Sequence, residues 1–243
     1  MADTIFITGA RGGAGATVCA VYLGIALSAE GERTLILDGD ADFGNGLETC
    51  GLQNLSVYTL ADAEEGACRV KQAILQHPAS PNLYILPSLD CKSPEFIQKA
   101  VTECEPLFDR IICDGAAMSA CKRAVLVTEP YPCALPSAKK RGAQLRDFGF
   151  KDVKLIINKV NGGLIYGGEI LPPNELSSVV QVPLLGIIPE DLNLPLGKMR
   201  PRTQRAFATL AANVLGKSKK TYAAVKYYSG LSGVIKRKLR GRV

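Results

Sequence analysis

Residues 4–17 read TIFITGARGGAGAT, in which an apolar run of strand-forming residues leads into a glycine-rich loop and then a helical pattern. Gly12, Gly13 and Gly15 allow successive backbone N–H groups to turn toward one anion, and the positive end of the helix dipole faces the same place. This stretch therefore predicts a phosphate-binding loop between the first strand and the first helix of an α/β fold.

The loop departs at two positions from the common phosphate-binding pattern, in which G-x-x-x-x-G is followed by Lys and then Ser or Thr. Ala10 occupies the first glycine position and Ala16 the lysine position, whereas Gly15 and Thr17 match the pattern. Losing a charge that stabilises a transition state costs on the order of 10²–10³-fold in rate. The loop therefore predicts nucleotide binding with weak or lost hydrolysis.

The composition restricts the class of protein. At 243 residues the chain is long enough for one domain with a sizeable core. No apolar run approaches the ~20 residues that span a bilayer, and the first residues lack a basic signal region, so we expect a cytoplasmic protein. The eight cysteines form no C-x-x-C pair and are expected to be free thiols. His77 is the only histidine, which argues against histidine-based zinc or triad chemistry.

Short apolar runs recur along the chain and predict strands at 4–8, 34–37, 83–86, 110–113, 124–127, 153–157 and 184–188. Helical patterns separate or follow them at 14–29, 94–103, 137–148 and 202–215. Because the runs are apolar throughout, we expect the strands in a parallel sheet that is covered on both faces. The pattern predicts a single doubly wound, mostly parallel α/β sheet of the P-loop NTPase type. Residues 161–173, rich in Gly and Pro, are expected to be irregular.

Charge is distributed unevenly along the chain. Nine of the 29 Lys and Arg residues and none of the 23 Asp and Glu residues fall in 217–243, which leaves residues 1–216 with 20 basic and 23 acidic residues. We therefore predict a mildly acidic nucleotide-binding domain over 1–216 and a basic tail over 217–243.

The tail has two interpretations. Its last apolar residues would share one face of a helix, opposite the cations, as in helices that lie on a membrane surface: Leu231, Val234, Ile235 and Leu239. Several glycines weaken the helical pattern, so a disordered basic tail is the alternative. An anionic membrane surface or a partner protein is the expected target, and specific nucleic-acid binding is not expected.

Two further strand ends carry carboxylates. Asp38 and Asp40 follow the second predicted strand, and Asp114 ends the fourth. Ligands of open α/β sheets bind at the carboxyl ends of the strands, so these acids are expected beside the loop. Phosphate loops hold Mg²⁺ through the loop hydroxyl and a strand-end Asp, which makes Thr17 and these acids candidates for metal and water positioning.

In this order the loop and the strand ends resemble the MinD/ParA family of P-loop ATPases, whose deviant loop reads x-K-G-G-x-G-K-[ST]. Residues 10–17 align with that loop without a gap. Asp38 and Asp40, with Asn45 seven residues after Asp38, resemble the second family motif, and Asp114 fits the Walker B position.

Two later segments extend the resemblance, which covers residues 4–215. The first reads Asn158-Lys159-Val160 and is similar to an Asn-Arg-Val segment that contacts adenine; the second, 182–190, resembles the proline-containing strand near the base. Arg11 stands at the position of the signature Lys, which reaches the nucleotide of the partner subunit. Ala16 stands where the family has its second Lys, on the β- and γ-phosphates.

The resemblance implies ATP and Mg²⁺ as cofactors and a nucleotide-dependent homodimer. It also implies a peripheral position at the inner face of the membrane, where the protein would help to place a cell-division or surface-appendage machine. The site residues that it implies bind ATP (Gly12, Gly13, Ala14, Gly15, Ala16, Thr17, Asn158 and Pro189), hold the metal (Thr17, Asp38 and Asp114) or serve catalysis (Asp40 and Arg11).

A non-catalytic localisation scaffold of the CpaE/TadZ type is the main alternative. Relatives of that type often have eroded phosphate loops, and Ala16 favours this interpretation. The retained Thr17, Asp40 and Asp114 argue against it, because a site without nucleotide chemistry would not need these residues.

Two enzyme classes are weaker alternatives. A Rossmann dinucleotide-binding enzyme would explain Gly13-x-Gly15 and Asp38, but its third glycine position falls on Val18. An iron-protein-like Fe–S ATPase would explain Cys121, seven residues after Asp114, but the chain has no convincing second cysteine for the cluster.

Overall fold

An eight-stranded sheet forms the centre of the computed structural model, which describes residues 1–39, 49, 52, 58–91, 93–194, 197–217 and 220–223. Its strands are β1 (Asp3–Gly9), β2 (Thr34–Asp38), β3 (Leu75–Gln76), β4 (Leu83–Pro87), β5 (Arg110–Asp114), β6 (Arg123–Thr128), β7 (Val153–Val160) and β8 (Leu184–Pro189). They lie in the order β3-β4-β2-β5-β1-β6-β7-β8. All neighbours are parallel except β3 and β4, which confirms the predicted mostly parallel sheet.

Helices cover both faces of the sheet. They are α1 (Ala16–Ala29), α2 (Leu60–Glu64), α3 (Pro94–Cys104), α4 (Leu135–Phe148), α5 (Gly162–Gly167), α6 (Pro173–Val180) and α7 (Pro201–Val214). Successive residues of β1 point to opposite faces, so Ile5 and Ile7 pack in the cluster of α1 and α7 while Phe6 packs in that of α4 and α6. Burial on both faces explains why the strand is apolar at every position.

The seven strands predicted from apolar runs are all present, each with ends within three residues of the prediction. The four predicted helices are also present, as α1, α3, α4 and α7. The sequence did not predict β3, a two-residue antiparallel strand, or the short helices α2, α5 and α6.

The prediction that residues 161–173 are irregular is wrong in part, because α5 lies within them. The side chain of Asn161 caps this helix by accepting the N–H of Gly163 at 3.0 Å. Gly168, in the left-handed region with φ 77°, ends it. A polar cap and a terminal glycine therefore suffice for one short helix in a glycine-rich segment.

The order of the strands separates two classes of nucleotide-binding fold. In the Rossmann order 3-2-1-4-5-6 the second strand lies next to the first. Here β5 lies between β1 and β2 and is paired with both. The Rossmann alternative is therefore wrong.

Candidate phosphate-binding site

The glycine-rich loop lies where the sequence predicted it, between the end of β1 and the start of α1. Gly13 and Gly15 have φ values of 78° and 87°, in the left-handed region that favours glycine. The loop lines a cleft of about 580 Å³ whose walls are residue 9, residues 11–18 and Thr49. Because α1 begins at Ala16, the free N–H groups of its first turn lie at this cleft, which suits an anion.

Gly15 is required by a close approach of β7 as well as by its backbone angle. A Cβ atom at this position would lie 2.4 Å from Nδ2 of Asn158. That buried amide donates a hydrogen bond to the carbonyl oxygen of Ala14 at 3.0 Å. The predicted site residue Asn158 is therefore brought directly onto the loop.

Three charged side chains meet beside the loop, and we call them the loop charge cluster: Arg11, Glu129 and Lys159. Arg11 donates from Nε and Nη2 to Oε2 of Glu129, at 3.0 and 2.5 Å. Lys159 Nζ donates to Oε1 of the same carboxylate at 2.8 Å and to the carbonyl oxygen of Gly13 at 2.6 Å. The carboxylate is 9% exposed, against 40% for the Arg11 side chain and 42% for that of Lys159.

Contacts within the cluster shift the pKa values of Glu129 and Arg11. Burial by itself raises the pKa of Glu129, but the hydrogen bonds and charges of Lys159 and Arg11 outweigh burial and hold that pKa below its usual value. The hydrogen bond and negative charge of Glu129 raise the pKa of Arg11. Glu129 and Arg11 are therefore both charged near neutral pH.

The sequence did not point to Glu129, and it pointed to Lys159 only as part of the segment 158–160, without a role of its own. Glu129 directly follows the buried strand β6, which is the same signal that pointed to Asp38 and Asp114. Lys159 lies next to Asn158 near the end of β7, with a left-handed φ of 56°. The strand order brings the ends of β6 and β7 beside β1 and so beside the loop.

Asp38 and Asp114 lie side by side, as predicted from their strand ends. They are register partners on β2 and β5, and both are buried. The N–H of Gly39 donates to the carbonyl oxygen of Asp114 at 3.0 Å, and a Cβ atom at position 39 would lie 2.2 Å from that oxygen. Asp40 and Asn45 lie outside the described residues.

The donors near the loop suit a magnesium ion. Thr17 lies in the first turn of α1 and lines the cleft, and Asp114 is also a register partner of Ile7, two residues before the loop. Hydroxyl and carboxylate oxygens are the ligands that Mg²⁺ prefers. Within the described residues, no three His, Cys, Asp or Glu side chains gather closely enough to hold a metal by themselves.

Two other residues named from the sequence lie elsewhere. Pro189 is buried at the end of β8, where its register partner is Val160, and it does not line the cleft. Cys121 follows β5 and donates from Sγ to the carbonyl oxygen of Ala117 at 3.4 Å.

An open parallel sheet with β5 between β1 and β2, and a glycine loop joining β1 to α1, define the P-loop class of nucleotide-binding α/β proteins. No protein-family model matches the chain. The septum site-determining protein MinD of Thermotoga maritima is 30% identical over an alignment of 206 residues that covers 78% of this chain and 76% of that protein. The chain therefore belongs to the MinD/ParA family of P-loop ATPases.

Solved structures share this fold. MinD of Aquifex aeolicus in the MinC:MinD cell division complex superposes with a TM-score of 0.83 at 24% identity, covering 90% of this chain and 98% of that one. MinD of Pyrococcus horikoshii, solved with Mg-ADP, has a TM-score of 0.75 at 27% identity and covers 88% and 96%. Among the helices of the described residues, none combines the length and apolar character that crossing a bilayer requires.

Proposed function

We propose that this chain is an ATP-binding switch of the MinD type, which dimerises on nucleotide and helps to place a cell-division or surface-appendage machine at the membrane. The observation that carries the proposal is the cleft of about 580 Å³ around the glycine loop, with α1 beginning at its wall. The Mg-ADP complex of the Pyrococcus horikoshii relative and the MinC complex of the Aquifex aeolicus relative support it.

The proposal gives each residue of the site a role. Gly12, Gly13 and Gly15 turn backbone N–H groups toward the phosphates, while Ala14, Ala16 and Thr17 complete the wall of the cleft. Asn158 and Pro189 are assigned to contacts with the base, Pro189 from outside the residues that line the cleft. Thr17, Asp38 and Asp114 hold Mg²⁺, which would neutralise phosphate charge when bound. Asp40 orients water, and Arg11 binds phosphate.

Hydrolysis is expected to be weak or lost. Ala16 supplies no ammonium group to the β- and γ-phosphates, whereas the backbone of the loop can still bind them. The proposed switch therefore depends on binding and dimerisation more than on turnover.

The basic residues 217–243 are proposed as a separate tail that binds an anionic membrane surface. Nine Lys or Arg and no Asp or Glu make this segment attractive to anionic lipids. The domain over 1–216 supplies the switch, and the tail supplies the surface on which it acts.

Calorimetric titration with Mg-ATP tests the proposal directly. We expect the wild-type protein to bind Mg-ATP with no measurable phosphate release, and Ala16→Lys to restore turnover. Light scattering should show conversion of monomer to dimer on adding Mg-ATP, and Arg11→Ala should abolish it. Arg205→Ala, on the exposed face of α7, is the matched control and should dimerise normally. Dimerisation that ignores nucleotide would contradict the switch.

Sedimentation with anionic vesicles tests the tail in the same preparations. The full chain should sediment with the vesicles, and a chain ending at Lys226 should stay in the supernatant. Equal sedimentation of the two chains would contradict the role of the tail.

The second candidate function is a non-catalytic localisation scaffold, which Ala16 favours. A scaffold needs no nucleotide, so it predicts no calorimetric signal with millimolar Mg-ATP for the wild-type protein or for Ala16→Lys. The same titration therefore separates the two functions.

A further inference from the structure

A positive charge that contacts the loop backbone comes from a distant part of the chain. Lys159, near the end of β7, places Nζ at 2.6 Å from the carbonyl oxygen of Gly13. Within residues 9–17 themselves Arg11 is the only charged side chain, because position 16 is Ala. A lysine 143 residues after position 16 thus lies against the loop that lacks its own.

Glu129 holds this lysine in place without cancelling the charge of the site. Its buried carboxylate accepts from Lys159 at 2.8 Å and from Arg11 at 2.5 Å, so one negative charge faces two positive ones. The loop charge cluster therefore has a net charge of about +1 beside a cleft that suits phosphate.

The ammonium group of Lys159 also has donor capacity for a ligand. An ammonium group carries three N–H donors. Within the described residues, the contacts of Nζ are the carbonyl oxygen of Gly13 and the carboxylate of Glu129. The third donor and a side chain that is 42% exposed leave Lys159 with donor capacity for an anion beside the loop.

We propose that Lys159 is a phosphate-binding residue of this site, that it supplies from β7 the positive charge missing at Ala16, and that Glu129 is its positioning residue. This inference rests on the proposed nucleotide-binding function. It explains how the site can bind a nucleotide although the loop has no lysine at position 16. We expect the ligand to be a nucleoside triphosphate, because its highly charged phosphates are attracted most strongly by a cation at the loop.

A double-mutant cycle with Mg-ATP tests the inference. Calorimetry would measure Kd for the wild-type protein, Lys159→Met, Ala16→Lys and the double variant. We expect Lys159→Met to weaken binding by about tenfold or more in the wild-type background, which is the scale of one charge-assisted contact. In the Ala16→Lys background, Lys159→Met should weaken binding of Mg-ATP by less than about threefold, because the lysine at position 16 already supplies a positive charge to the phosphates.

Two control variants separate charge from structure. Lys154→Met removes a lysine from the opposite end of the same strand, one that pairs with Asp152 at 3.3 Å, and it should leave Kd unchanged. Lys159→Arg keeps the charge and should retain most of the affinity. Thermal unfolding of each variant identifies any that fail to fold. If Lys159→Met fails to fold, Lys159→Arg takes its place in the test, and its Kd for Mg-ATP should keep the salt dependence of the wild-type Kd.

The outcomes distinguish this inference from the proposed function. Equal losses in the two backgrounds would mean that Lys159 only braces the loop, and an unchanged Kd in Lys159→Met would mean that it has no role; either result overturns the inference. Binding by Ala16→Lys with none by the wild-type protein also overturns it. No binding by either protein contradicts the proposed function itself.

Discussion

The two ends of the sheet both carry ion pairs, and they differ in charge balance and exposure. At the amino ends of the strands, Arg110 pairs with Asp3 and, at 2.9 Å, with Glu32, while Arg123 also pairs with Asp3. Two cations thus face two carboxylates, and the Arg110 side chain is 21% exposed. At the carboxyl ends, the loop charge cluster has two cations for one carboxylate, and both cations are about twice as exposed.

The difference indicates what each end is for. A balanced, shielded group of ion pairs ties β1, β5 and β6 together and leaves little charge for a ligand. An unbalanced group with exposed cations contributes less to stability and leaves a positive charge beside a cleft. The comparison therefore assigns a structural role to one end of the sheet and supports the proposed binding site at the other.

Matched glycine substitutions should give the largest contrast between the two ends. Gly15 and Gly31 both have φ in the left-handed region, 87° and 96°, but a Cβ atom meets Asn158 only at Gly15. Gly31→Ala should lower the free energy of unfolding by about 1–2 kcal/mol, through the strain of placing alanine in the left-handed region alone. Gly15→Ala should cost about 2–4 kcal/mol, because the hydrogen bond of Asn158 to the loop is also lost.

Urea unfolding of the two variants measures this difference. Gly15→Ala should also weaken binding of Mg-ATP, whereas Gly31→Ala should bind normally. Equal losses of stability would contradict the close packing of β7 on the loop.

Removal of one arginine at each end should give the next largest contrast. Arg110→Met leaves Glu32 without a described ion-pair partner, and we expect a loss of about 1–2 kcal/mol in the free energy of unfolding. Arg11→Met removes a far more exposed side chain, so its effect on unfolding should be clearly smaller. Denaturant titrations at low and high salt would measure both, and a larger loss for Arg11→Met would reverse the comparison.

The sequence predicted the parts of this molecule that depend on local pattern. Apolar runs located the seven buried strands, and the glycines located the loop. Asp38 and Asp114 were found because each ends a strand. These features follow from chemistry within a few residues of one another in the chain.

Strand order decided what the sequence did not predict. Glu129 and Lys159 face the loop only because β6 and β7 follow β1 in the sheet, and no local pattern gives that order. The helix α5 was missed because its signals are one capping Asn and one glycine. Roles for Asp40 and the basic tail stay predictions, since Asp40 and most of the tail lie outside the described residues.

The contribution of Glu129 to the free energy of unfolding should depend on pH, and this should be the smallest of the effects. It concerns only the loop charge cluster at the carboxyl ends of the strands. The pKa of this carboxyl is held below its usual value of about 4.3, so its ionised form stabilises the folded state above that pH. The stability advantage of the wild-type protein over Glu129→Gln should be constant above about pH 6, with a size of about 1 kcal/mol or less because both cations are exposed.

As the pH falls through the lowered pKa, the folded protein takes up the proton and this advantage should disappear. Subtracting the unfolding curves of the two proteins at each pH removes the contribution of every other carboxylate. An advantage that persists or grows toward pH 3 would mean that the ion pairs of Glu129 do not stabilise the fold. The loop charge cluster would then serve binding alone, and the contrast with the amino ends would be complete.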